Sequence, residues 1–345
     1  MRPDPAPLPL LGIHHIELVV GNAKQAAFYY RKAFGFSQVA FAGPATGVRE
    51  QASYVLRQGN IRLALSSPLY GDEAMAELLQ KHGDFVIDVA FLVDDVDAVF
   101  REAMKRGAQE ARAPYDRKDE HGKTRRAKIR GFGDTLHSFV STREYRGEFL
   151  PRYRPVRKFT AGVGLLEIDC VAAGVEEGRL GDWGTYYHRV FGFRESAAGA
   201  VIKAGTPKRR MMADPGGKFQ MPIVAPARGD SVDAYLAYNA GPGIQHVAFS
   251  CENLAYTASL LKENGVDFTL TTETRIPEFA GAAADLQAEA SILRGLGATV
   301  ERDAAGWFLK LETEPVEDRP TLHFEIVQRI DGDSPRYRPL LDAVA

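Results

Sequence analysis

Three segments of this 345-residue chain carry side chains of the kinds that bind metal ions. Gly-Ile-Gln-His-Val-Ala-Phe at 243–249 offers His246, and Leu-His-Phe-Glu-Ile-Val-Gln-Arg at 322–329 offers Glu325. Glu-Ile-Asp-Cys-Val-Ala at 167–172 offers Cys170. All three read as β-strands from their β-branched and apolar content. Two histidines and one carboxylate on separated strands form the facial triad of non-heme Fe(II) oxygenases. This chain has one histidine, one carboxylate and a cysteine. A Cys-His-Glu set is softer and suits Zn(II) as well as Fe(II). On residue type alone, a lone strand histidine is more often a satisfied core group, and a strand cysteine a small buried hydrophobe. Both readings stay open at this point.

Strand alternation adds a constraint. Cys170 shares a face with Ile168, while Glu167 and Asp169 share the other, so neither carboxylate replaces the thiol without a bulge. His246 shares a face with Ile244 and Ala248, and Glu325 with His323 and Val327.

The elements that must position these residues occur twice, roughly 150 residues apart, a period that means domain duplication and not a solenoid. Phe28-Tyr-Tyr-Arg-Lys-Ala-Phe-Gly-Phe36 matches Tyr186-Tyr-His-Arg-Val-Phe-Gly-Phe193, each a helix stopped by glycine. A strand precedes each, Ile13 to Val20 and Leu165 to Ala172. Phe85 to Val93 matches Gly243 to Cys251, each a strand followed by a helix ending at Gly107 or Gly265. Thr135 to Arg143 matches Thr321 to Arg329, which pairs Phe139 with Glu325 and leaves His15, Asp88 and Phe139 as a poor metal set in the first half. His14, His15 and His137 therefore read as structural.

Composition bounds the rest. Hydrophobic residues make up 45% and charged residues 26%, with a net charge of −2, as in ordinary globular proteins. The densest charge run, Lys118 to Arg130, mixes signs and reads as a solvated loop, so nucleic acid is not an expected partner. Four prolines in Met1 to Pro9 read as an extended leader, and no apolar run is long enough for a membrane helix. Two cysteines, Cys170 and Cys251, make no disulfide framework, and a reducing cytoplasm is expected.

Gly-Ile-Gln-His-Val-Ala-Phe, Phe-Glu-Ile-Val-Gln-Arg and Asp285-Leu-Gln-Ala resemble the family of 4-hydroxyphenylpyruvate dioxygenases and hydroxymandelate synthases, of the vicinal-oxygen-chelate superfamily. The likeness spans nearly the whole chain. It implies an α+β fold of two tandem domains, each of paired βαβββ modules forming a cupped mixed sheet with helices outside. The expected divisions are 1–150, a domain without metal; 151–160, a linker; and 161–345, the metal and substrate domain, ending in a lid helix. It implies His246 and Glu325 as ligands, with Cys170 where the family has its first histidine. It further implies Fe(II), with Zn(II) the alternative, and dioxygen as co-substrate of a 2-oxo acid.

Carried onto this chain, the family's substrate-contacting serine falls at Arg209 and an asparagine at Val224. A glutamine and a phenylalanine fall at Lys310 and Glu312, and the closing-helix positions at Arg336, Tyr337 and Leu341. Neutral groups thus become charged, which implies a charged, anionic substrate, or pairing of Lys310 with a carboxylate. The expected product is a small-molecule dioxygenase, homodimeric or homotetrameric, in the cytoplasm. Two other readings keep the fold: a metal-dependent isomerase or lyase, and a non-catalytic binding protein with a degenerate site.

Overall fold

The structure, a computed structural model, describes residues 4–195, 207–217, 219–227, 229–270, 284–303 and 306–330. The expected lid with Arg336, Tyr337 and Leu341 lies outside the described residues.

The first half runs β1 (Leu10–Val19), α1 (Ala23–Ala33), β2 (Ser37–Ala42), β3 (Gln51–Gln58), β4 (Ile61–Pro68), α2 (Glu73–His82), β5 (Phe85–Val93), α3 (Val96–Lys105), β6 (Glu110–Asp119), β7 (Gly122–Arg130), β8 (Leu136–Ser141) and β9 (Arg154–Lys158). The second runs β10 (Leu165–Gly174), α4 (Leu180–Phe191), β11 (Arg194–Glu195), β12 (Lys208–Ala213), β13 (Gln220–Ala225), α5 (Ser231–Tyr238), β14 (Gly243–Cys251), α6 (Leu254–Glu263), α7 (Ala284–Gly295), β15 (Thr299–Asp303), β16 (Gly306–Glu312) and β17 (His323–Ile330).

Each half makes one sheet, in orders β6-β7-β8-β5-β1-β4-β3-β2-β9 and β11-β12-β13-β10-β14-β17-β16-β15. At each centre two module-leading strands pair antiparallel, β1 with β5 and β10 with β14, and each last strand of a module returns parallel beside its first. This is the expected cupped α+β architecture. Asn22, Asp95 and Asn253 cap α1, α3 and α6 by accepting from the backbone N–H three residues on.

The repeated glycines do more than stop helices. Gly35 (φ +71°) and Gly192 (φ +74°) take left-handed conformations, and a Cβ would lie 2.7 Å from the Ala161 carbonyl oxygen and 2.6 Å from Pro7 Cα. Each turn thus packs against chain leading into or out of the other half. The helices lie on the convex backs of the cups. Tyr30 of α1 and Phe34 at its C-terminal end meet Phe324 of the second sheet, which stacks on Phe249 at 5.2 Å. Tyr187 and Phe191 of α4 meet His137 and Phe91 of the first. The ligand-bearing strands are therefore backed by a buried aromatic layer.

Three expectations change. Lys118 to Arg130 is no loop: it is the β6–β7 hairpin, whose charges pair across strands and whose Ala127 and Ile129 are buried. The stretch 151–160 contains β9, which pairs with β2 as an edge strand, and Phe149, Leu150 and Tyr153 pack against the first cup's residues. Finally, β5 and β8 pair Asp88 with Leu136, whereas β14 and β17 pair His246 with His323. With Asp88 matched to His246, Ser138 and not Phe139 takes the place of Glu325. A one-residue slip reverses faces, and Phe139 points into the aromatic layer against Phe191.

Candidate metal centre

The centre is built by ladder register. Cys170 on β10 lies opposite Ala248 on β14, Ala248 lies opposite Glu325 on β17, and Glu325 lies opposite Glu312 on β16. One alternation along, His246 lies between Ala172 and His323. Two alanines thus leave the floor of the cup open between the three candidate ligands. The ligand atoms of Cys170, His246 and Glu325 all lie within 4.8 Å of one another, and among the described residues this is the group of three that could hold an ion. His246 Nε2 is 3.6 Å from Glu325 Oε1. Ligands bonded to one ion at roughly 2.0–2.3 Å stand some 3–4 Å apart, so a small inward movement completes the set.

Charge also fits. Burial alone would raise the Glu325 carboxyl, but His246, Lys310 and His323 outweigh it and hold it well below the usual carboxylate range. Burial, then Glu325 and Asp169, push the Cys170 thiol up against the weaker opposing pull of Lys310 and Arg329, so with no metal bound it is a neutral thiol. A coordinated thiol is deprotonated. Lys310 and Arg209 stand against Glu301, Glu312 and Glu325, one negative charge in excess. A dication bound with the Cys170 thiolate brings this cluster to neutrality. The donor set therefore fits a divalent metal.

Lys310 is largely enclosed, with its side chain 12% exposed, and donates to Glu312 Oε1 at 2.8 Å and Glu325 Oε1 at 3.0 Å, with Glu301 Oε1 at 3.1 Å. Burial would lower its ammonium, but Glu325, Glu312 and Glu301 hold it well above the ordinary lysine range. Pairing with carboxylates, one of the two expectations for Lys310, is what the fold provides. Arg209 lies at the rim, 37% exposed, 3.4 Å from Glu301 Oε2, so this contact joins β12 to β15 across the mouth of the cup. Val224 is the ladder partner of Arg209 and of Gly174, half-buried.

The bulge without which neither carboxylate could reach the cup is present. Ile168 pairs with Phe249 and Cys170 with Ala248, so Asp169 is an extra residue on β10. Its carboxylate accepts from Arg329 Nε at 2.6 Å and Nη2 at 2.7 Å. Arg329 shares the face of Glu325 by alternation and lies over Phe308, 5.3 Å from the ring centroid. Asp169 reaches the cup but is engaged as a counter-ion.

His323 and Glu301 are further site residues. His323 lies two residues before Glu325 on the same face, its ring 5.0 Å from that of His246. Burial, then His246, lower it to about 4, so it is neutral. Its place in the motif was the available signal. Glu301 lies in a polar strand with no such signal.

In the corresponding cup of the first half the acidic group is already engaged. Asp88 accepts from Lys128 at 2.8 Å and from the Ser138 hydroxyl and N–H. His14 and His15 face each other, Nδ1 to Nδ1, at 2.7 Å.

Comparison with known proteins agrees with this geometry. The profile of the glyoxalase/bleomycin resistance protein/dioxygenase superfamily matches residues 12–135 and 178–289. The 4-hydroxyphenylpyruvate dioxygenase of Dictyostelium discoideum is 34% identical over 96% of this chain and 97% of its own. That of Yarrowia lipolytica is 32% identical over 92% and 86%. Among solved structures, a mutant 4-hydroxymandelate synthase from Streptomyces coelicolor superposes with a TM-score of 0.78, at 28% identity, covering 97% of this chain and 98% of that one. The chain belongs to the 4-hydroxyphenylpyruvate dioxygenase family of this superfamily, a family of dioxygenases, and is an oxidoreductase of that kind.

Proposed function

We propose that this protein is a non-heme Fe(II)-dependent dioxygenase that acts on a 2-oxo acid through a Cys170-His246-Glu325 centre in residues 161–345, with residues 1–150 carrying no metal. The observation that carries the proposal is the convergence of these three ligand atoms within 4.8 Å on one cup face. When bound, iron supplies chelation of the 2-oxo acid and activation of dioxygen.

The chain's own residues do the rest. Ala172 and Ala248 keep the space above the ligands clear. Phe308 and Val327 pack beside Cys170 and exclude water from the thiol side. Neutral His323 stands beside His246 without adding charge. Arg209, Val224, Lys310 and Glu312 face the remainder of the substrate. Because Arg209 and Lys310 already hold carboxylates, the cup suits a charged molecule that exchanges with those pairs, and 4-hydroxyphenylpyruvate with its neutral phenol is a poorer match. The cytoplasm and a homo-oligomer are the proposed setting. Among the described residues no helix is long and apolar enough to cross a membrane.

Oxygen-electrode measurements on iron-loaded protein, with a panel of 2-oxo acids that includes 4-hydroxyphenylpyruvate, test this reading. Oxygen uptake matched by carbon dioxide release supports it. Turnover of a substrate without oxygen uptake would move the protein to the isomerase or lyase class, for which a zinc-compatible thiolate is the favouring observation.

A further inference from the structure

Lys310 and the metal would claim the same atom. Lys310 Nζ lies 3.0 Å from Glu325 Oε1, and that oxygen also faces His246 Nε2 at 3.6 Å. Both residues are held by adjacent strands, with Lys310 opposite Val327 and Glu312 opposite Glu325. The lysine cannot drift away as a surface side chain would. The side chains are 12% and 8% exposed, so water screens the pair little.

We infer, resting on the metal-centre reading above, that Lys310 is an internal counter-ion that competes with the metal for Glu325, and so sets how tightly this chain loads its metal. A dication arriving at Glu325 Oε1 comes close to a fixed ammonium. It must break one charge-assisted hydrogen bond and meet like charge in a dry cup. The site is weakened but not closed, because Lys310 keeps Glu312 at 2.8 Å and Glu301 at 3.1 Å when Glu325 is taken. Glu301 is itself tied to Arg209, so the displaced charge is shared out to the rim. A neutral residue at position 310 would leave Glu325 Oε1 without its ammonium partner and open to the ion.

The test is a calorimetric titration of metal-stripped full-length protein with Zn(II) chloride, with no turnover involved. Lys310→Gln is expected to bind Zn(II) about tenfold or more tightly than wild type, while Lys310→Arg, which keeps the cation, stays within about threefold of wild type. The charge-balanced pair Lys310→Gln with Glu312→Gln separates competition from net charge, and is expected to keep most of the gain. Equal affinity in wild type and Lys310→Gln, or a gain abolished in the balanced pair, would overturn the inference. Should Lys310→Gln not fold, the wild type still decides. Its Lys310 ammonium ¹⁵N resonance, assigned by its loss in Lys310→Arg, should move on Zn(II) saturation, and an unmoved resonance overturns the inference. Failure of wild type, Lys310→Gln and Cys170→His alike to bind Zn(II) would instead remove the metal-centre reading itself.

Discussion

Cys170 and Glu325 stand on either side of Ala248 in one cross-strand row, so the sheet and not a loop brings the thiol to the carboxylate. Ala248 is fully buried between them. Ala248→Leu should therefore fill the metal position. It should cost about 1–3 kcal/mol of stability through overpacking and abolish Zn(II) binding. Urea denaturation and a chromophoric chelator assay check the two effects separately.

Aromatic backing makes a second, independent prediction. Phe324 is fully buried against Phe249, Phe34 and Tyr30. Phe324→Ala should cost about 3–5 kcal/mol, read by denaturant midpoint. Because Phe324 sits between the halves and beside Glu325, metal affinity should fall with it.

Acid should destabilise the protein in a defined window. His137 is fully buried beside Tyr187, and burial lowers it from 6.5 to about 4. Between those values the unfolded chain binds the proton and the folded chain does not. Stability therefore rises with pH from about 4 to 6.5 and is flat in this group above and below that window. The full effect is on the order of 3 kcal/mol. His137→Gln should make that part of the stability–pH curve less steep, with the slope from His323 remaining, measured by urea melts at closely spaced pH values.

The Asp169–Arg329 pair fixes the bulge beside Cys170. Removing the carboxylate in Asp169→Ala leaves Arg329, which is 27% exposed, short of its bidentate partner. A cost of about 2 kcal/mol is expected, below that of a fully buried pair. Zn(II) affinity should fall too, since the strand that presents Cys170 loses its anchor.

Much of this was legible in the chain itself. Strand patterning around His246, Glu325 and Cys170, and the repeated glycine-stopped helices, follow local rules that survive folding. What was missed depends on contacts between distant positions. Lys310 and Glu301 meet only because β15 and β16 pair in one register. Ser138, and not Phe139, faces the first cup because matching by residue type cannot see a one-residue offset in a ladder. Residues 154–158 look like linker because β9 is exposed and proline-bearing, and only the open edge of β2 makes it a strand. Asp169 reaches the cup through a bulge that alternation named as a condition but could not supply.

The most direct test is metal content. Protein purified without oxygen would be analysed for iron and zinc as wild type, Cys170→Ala and Cys170→His. A Cys170-His246-Glu325 centre predicts near-stoichiometric metal in wild type, loss in Cys170→Ala and recovery in Cys170→His. Metal-free wild type, with metal acquired only by Cys170→His, would contradict it and leave Cys170 a buried thiol in a site that no longer binds.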